Sequence, residues 1–234
     1  MRTLIAADFV AASPPVELGD DEIHLWFFPQ GGIRNHARTD GMTALRSLLA
    51  AYLDVEADSL RIERNAAGKP YLADAALHFN LSHSGDALLI GLSRTQPLGV
   101  DVEESPRPRP YLELARRYFT DAETSALAAL PADRLVPAFL NLWSAKEAVL
   151  KAIGRGIAFG LDRVGFELGA DGSVRKLVHV AAEAGPLANW QVVALAPRAG
   201  TIGALAWHGA AHEIRALSRT GLGESATIRG VSTS

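Results

Sequence analysis

The sequence contains no cysteine. Disulfides, thiolate nucleophiles and thiolate metal sites are therefore excluded, and a reducing compartment is allowed. Long apolar runs are missing too: nothing approaches the roughly 20 residues that a bilayer-spanning helix needs. The opening Met1-Arg2-Thr3-Leu4-Ile5-Ala6-Ala7-Asp8 holds one arginine and an apolar run cut off by Asp8, too short for a signal peptide. Nor is there an excess of positive charge. Lys and Arg number 23 against 26 Asp and Glu, a formal net charge of −3, whereas a nucleic-acid partner calls for a strongly basic surface. What remains is an ordinary globular composition, 48% apolar and 21% charged over 234 residues, long enough for one large domain or two modest ones. The expectation is a soluble, cytoplasmic protein with neither membrane nor nucleic acid as partner.

Taken in order, the chain reads as alternating sheet and helix. Pro14-Pro15 suggests a loose leader before a first strand, Glu22 to Phe28, which Pro29 and Gly31-Gly32 end. Ala44, Leu45, Leu48, Leu49 and Tyr52 recur at helical spacing, with a cap expected at Thr39 or Asp40. Leu60 to Arg64 alternates as a strand does, Phe79 to Gly85 reads as a polar loop, and Ala87 to Leu92 fits a buried strand. In Leu98-Gly99-Val100-Asp101-Val102-Glu103, alternation places Asp101 and Glu103 on one face and the valines on the other. Ser105-Pro106-Arg107-Pro108-Arg109-Pro110 is a stiff, extended linker by composition. Helices follow near Tyr111–Tyr118, after the capping box Thr120-Asp121-Ala122-Glu123, and from near Asp133 to Gly154. Arg163–Gly169 with Ser173–Val180, and Trp190–Ala196 with Thr201–Trp207, read as strand pairs. From about Ser218 the residues turn small and polar, a tail expected to be disordered. Domains are expected at 1–105 and 106–217, followed by the tail 218–234. The fold class is α+β.

Within the longest helix, Trp143, Glu147 and Lys151 recur every four residues and so share a face. A Glu–Lys pair at that spacing is ordinarily a surface pair contributing a few tenths of a kcal/mol. Asp101 and Glu103 change that reading, unless they merely sit at an exposed strand end. Two carboxylates on one face of an apolar strand repel each other and are costly to desolvate unless something positive neutralises them. A hard divalent cation is the simplest partner, and oxygen-only ligation favours magnesium over zinc. Magnesium held by few protein oxygens completes its shell with water and substrate phosphate, and Lys151 suits a phosphate oxygen as a point charge. The pattern points to phosphoryl chemistry on an anionic substrate.

Four blocks together resemble the 4′-phosphopantetheinyl transferase superfamily, specifically its Sfp-like group. They are Gly68-Lys69-Pro70-Tyr71-Leu72, Phe79-Asn80-Leu81-Ser82-His83-Ser84, Gly99-Val100-Asp101-Val102-Glu103 and Trp143 to Ala152. They stand in the family's order over roughly Leu60 to Leu161. The resemblance implies two similar α/β halves related by a pseudo-two-fold, with the active site in the cleft between them, in a monomer. It implies transfer of the 4′-phosphopantetheine arm of coenzyme A to a serine of an apo acyl or peptidyl carrier protein, with magnesium as cofactor and 3′,5′-ADP released. By motif position, Asp101, Glu103 and Glu147 would hold magnesium, Glu147 would also be the general base, and Lys151 would contact phosphate. Ser82, His83, Lys69, Arg38 and Lys146 would be further coenzyme A contacts, while Trp143 packs the helix. One departure stands out: the basic helix that family members commonly carry upstream of the Arg38 region is absent, leaving Arg34 and His36 as substitutes.

Two other readings use the same residues. One is a different magnesium-dependent phosphoryl-transfer enzyme, such as a nuclease or phosphatase. The other is a non-catalytic domain that binds coenzyme A or carrier proteins. His208 and His212 lack a third zinc ligand and read as surface histidines.

Overall fold

The computed structural model describes residues 1–29, 37–104 and 108–219, and of residues 37–40 the backbone alone. Arg34, His36, the Arg38 side chain, the first half of the proline-rich linker (105–107) and the tail beyond 219 lie outside the described residues.

The chain is mixed α+β. Its strands are β1 (Thr3–Ile5), β2 (Val10–Ala11), β3 (Glu22–Phe28), β4 (Ile62–Arg64), β5 (Pro70–Leu72), β6 (His78–Ser84), β7 (Ala87–Ser93), β8 (Leu98–Glu104), β9 (Val164–Leu168), β10 (Val174–Val180), β11 (Trp190–Ala196), β12 (Thr201–His208) and β13 (Glu213–Ser218). The helices are α1 (Ala37–Leu53), α2 (Tyr111–Tyr118), α3 (Asp121–Ala128) and α4 (Ala132–Ile153). Two sheets dominate, a five-stranded one in the order β2-β13-β3-β7-β6 and a four-stranded one in the order β1-β11-β12-β8.

Side-chain alternation sorts the core into layers. Trp26, Phe28, Leu88 and Ile90 pack with Leu45, Leu48 and Leu49 of α1 on one face of the five-stranded sheet. Leu25, Phe27 and Leu89 point the other way and meet Val100, Val102, Leu205 and Trp207, filling the space between the sheets. Ala204 and Ala206, on the remaining face of the four-stranded sheet, pack in one cluster with Leu142, Ala145, Ala148 and Val149 of α4.

Several expectations change here. Phe79 to Gly85 is not a loop: β6 pairs antiparallel with β7 along its whole length. The leader is ordered in part, since β1 runs parallel to β11 and β2 parallel to β13. The segment after the second hairpin supplies β13, which lies parallel to β3 with Ile214 opposite Ile23 and Leu217 opposite Trp26. The histidines expected at the surface are half-buried: His212 bonds to Gln96 and Thr95, and His208 packs edge-on against Trp190.

The helices of the second half follow their sequence signals. Thr120 Oγ1 accepts from Glu123 N–H at 3.3 Å, and Glu123 Oε2 accepts from Thr120 N–H at 2.9 Å, closing the capping box that starts α3. Gly154 ends α4 in the left-handed region at φ 77°, its N–H bonded to Leu150 O.

Candidate functional site

Gly99 decides where α4 can lie. A Cβ placed there would fall 2.0 Å from Ala148 O and 2.4 Å from Ala152 N. The helix backbone therefore rests directly on β8 at this point, a closeness available only to glycine. Glu147 and Lys151, each one residue before a contacting alanine, are carried down to Asp101. The alternation that puts Val100 and Val102 in the intersheet core turns Asp101 and Glu103 toward the helix.

The result is a cleft of about 470 Å³, with Asp101, Glu103, Trp143, Glu147 and Lys151 in its wall together with Ser82 and His83. Met42 of α1 and Arg64 of β4 also line it. Neither stands out in the sequence, because no motif marks them.

Lys151 Nζ donates to Asp101 Oδ1 at 2.7 Å, to Ser82 Oγ at 3.0 Å and to Val100 O at 3.1 Å. Ser82 Oγ in turn donates to Asp101 Oδ1 at 3.0 Å. Asp101 Oδ2 and Glu147 Oε1, by contrast, are buried and have no hydrogen-bond partner. An unpaired buried carboxylate oxygen is costly unless protonated or bound. Glu147 shows that cost: burial, then the neighbouring Asp101 and Glu103 carboxylates, push its pKa up to about 7 against the partial relief of Lys151. Burial and Asp101 likewise raise Glu103, which the Ser84 hydroxyl, Arg109 and Lys151 partly offset.

These features fit a hard cation. Three oxygen donors share one cleft, two with buried unpartnered oxygens, and each Glu gains proton affinity from its acidic neighbours. As the side chains stand, no group of three acid or imidazole residues among the described residues converges closely enough to hold a metal ion. Lys151 lies against Asp101 instead, one ammonium serving one of the three acids.

The free edge of β8 explains the polarity of β6. Val100 N–H donates to Asn80 Oδ1 at 2.8 Å, Val102 N–H to Ser82 Oγ at 3.3 Å and Glu104 N–H to Ser84 Oγ at 3.1 Å. Alternate side chains of one strand thus replace the partner strand that β8 lacks on that side, at a constant offset of 20 residues. Lys69 completes the seal, donating to Leu98 O at 2.9 Å and to Lys151 O at 2.6 Å. Burial, with Lys151 nearby, lowers its pKa to about 8. Its ammonium is spent on the β8 edge and the end of α4, while His83 is exposed at the cleft.

Lys146 requires a correction. Its side chain is fully buried about 100° around α4 from Glu147, 2.7 Å from Glu123 Oε2, and donates to Leu161 O and Val164 O. Glu123 Oε1 meanwhile accepts from Phe166 N–H at 2.7 Å. Lys146 therefore ties α4 to α3 and the start of β9, with no surface left for a ligand. Trp143 does both things open to it: it stacks on Phe139 with centroids 5.9 Å apart and also lines the cleft.

Residues 97–202 match the family model described as the 4′-phosphopantetheinyl transferase superfamily. Curated relatives that carry the name 4′-phosphopantetheinyl transferase include the following three. HetI of a Nostoc species is 38% identical over 151 residues, covering 60% of this chain and 61% of the relative. Sfp of Bacillus subtilis is 33% identical over 141 residues, covering 59% and 61%. Psf-1 of Bacillus pumilus is 35% identical over 134 residues, covering 56% of each. The chain thus spans a little over half the length of these relatives. Residues 97–202, the stretch holding both acids of β8 and the whole of α4, are thus the part of this chain that is similar to the 4′-phosphopantetheinyl transferase superfamily.

Proposed function

We propose that the protein transfers the 4′-phosphopantetheine arm of coenzyme A to a serine of an apo acyl or peptidyl carrier protein and releases 3′,5′-ADP. The observation that carries this reading is the pair of buried, unpartnered oxygens, Asp101 Oδ2 and Glu147 Oε1, in the wall of the cleft that also holds Lys151. Asp101, Glu103 and Glu147 would hold magnesium, which when bound offsets charge on the pyrophosphate of coenzyme A. The carrier serine oxygen bonds to the β-phosphorus, and the bond from that phosphorus to the bridging oxygen breaks. The serine proton passes to Glu147, the carboxylate that α4 presents to the cleft. Lys151 steadies the charge that gathers on the departing α-phosphate. Exposed His83 is the nearest candidate from β6 for the nucleotide's 3′-phosphate end, since Ser82 is already committed to Asp101 and Lys151.

In this reading residues 1–105 and 106–217 form the two halves, the cleft lies between them, and the protein works as a cytoplasmic monomer. Among the described residues no helix is long and apolar enough to cross a membrane.

The test is incubation of the purified protein with coenzyme A, magnesium and several apo carrier proteins. The expected result is a phosphopantetheine mass gain on the carrier. Carriers that all stay unmodified would contradict the reading.

A further inference from the structure

Ser84, at the end of β6, bonds in two directions. Its hydroxyl accepts from Glu104 N–H at 3.1 Å and donates to Glu103 Oε2 at 3.2 Å. Ser82 repeats the pattern one rung inward, accepting from Val102 N–H and donating to Asp101 Oδ1. Asn80 ends the ladder differently, since it seals Val100 N–H and touches neither acid. The neighbouring Glu104 is occupied elsewhere, with Oε2 accepting from Asp86 N–H and Oε1 paired with Arg198. Of the two glutamates that close β8, only Glu103 lines the cleft, and Ser84 is the hydroxyl bonded to it.

We propose that Ser84 is a positioning residue for Glu103: it holds one carboxylate oxygen against the β6 edge and leaves the other for a cation in the cleft. This rests on the cation-dependent reading of the site. A half-buried glutamate has three side-chain torsions to fix, and a hydroxyl already anchored by the Glu104 N–H is a rigid stop for its far end. Partners of this kind orient metal-ligating carboxylates and set metal affinity without touching the metal. The two duties of Ser84 separate by experiment, because Asn80 performs the edge-sealing duty alone.

Manganese binding to the full chain, followed by calorimetry beside thermal unfolding, tests the assignment. Ser84→Ala is expected to weaken manganese binding about tenfold or more, while Ser84→Thr, which keeps the hydroxyl, restores it. Asn80→Ala is expected to lower the unfolding midpoint and leave manganese affinity unchanged. Where Ser84→Ala does not fold, Ser84→Cys, with a weaker donor of similar size, stands in for it. Native-like manganese binding by the alanine variant would overturn the proposal, and so would an equal loss in Asn80→Ala. Absence of manganese binding in the native protein would remove the cation reading itself, and the role of Ser84 with it.

Discussion

Glu147 is about nine-tenths buried, and its carboxyl pKa is displaced from 4.5 to about 7 by burial and by Asp101 and Glu103. Below pH 4.5 the group is protonated in both folded and unfolded chains and contributes nothing to the balance. Between 4.5 and 7 the unfolded chain gives up the proton while the folded chain retains it, so stability falls as pH rises, and above 7 the penalty is constant. The displacement corresponds to about 3 kcal/mol. In chelator, Glu147→Gln is therefore expected to raise stability toward denaturant at pH 8 by up to that amount and to change little at pH 4. No gain at pH 8 would mean that Glu147 is not held against its charge. Glu123 presents the opposite case. Glu123→Ala would strand the buried Lys146 ammonium, open the α3 capping box and free Phe166 N–H, and is expected to cost about 3–5 kcal/mol. Denaturant unfolding measures it, and a loss under 1 kcal/mol would contradict the buried-pair interpretation.

At the scale of elements, the contact between α4 and β8 determines whether the site exists. Because the atoms facing Gly99 are helix backbone, Gly99→Ala cannot be absorbed by a side-chain shift. The helix must lift, with a cost expected at about 3 kcal/mol or more and Glu147 and Lys151 carried away from Asp101. Loss of transfer activity together with a lowered unfolding midpoint is the expected outcome, and a fully active alanine variant would show that the close approach is dispensable. This element pair was legible in the sequence: α4 declared itself by its apolar stripe and terminal glycine, β8 by alternation, and the acids by sharing a face. Other parts were hidden for physical reasons. Asn80, Ser82 and Ser84 alternate with period two, as strand residues do, but their polarity mimics a loop because they face a backbone edge instead of a core. Lys146 sits beside Glu147 in sequence, and nothing local reveals that its partner is Glu123 on another helix. Lys69 looks like an anion contact until the carbonyls of Leu98 and Lys151 are seen to surround it.

Across the whole molecule the two large sheets exchange strands. β1, from the start of the chain, lies in the sheet of β11 and β12, while β13, from near its end, lies between β2 and β3. β8 precedes the proline-rich linker yet pairs with β12 beyond it, from Leu98 opposite Trp207 to Glu104 opposite Thr201. No local pattern announces such pairings, which is why the short strands at either end escape a reading of periodicity. A chain stopped after His212 would lose β13 and leave the edges of β2 and β3 unpaired. It is expected to lack cooperative unfolding and to aggregate, and a soluble, cooperatively folding product would contradict that role for β13. The same exchange holds the acid strand between its two supports, β12 on one edge and the β6 side chains on the other, with α4 across its face.

The most direct measurement is a crystal structure with coenzyme A and manganese, read through the anomalous signal of the metal. A single peak bounded by Asp101, Glu103 and Glu147, in contact with the pyrophosphate, is the predicted result. A peak held by other residues, or coenzyme A bound with its pyrophosphate away from these three acids, would contradict it.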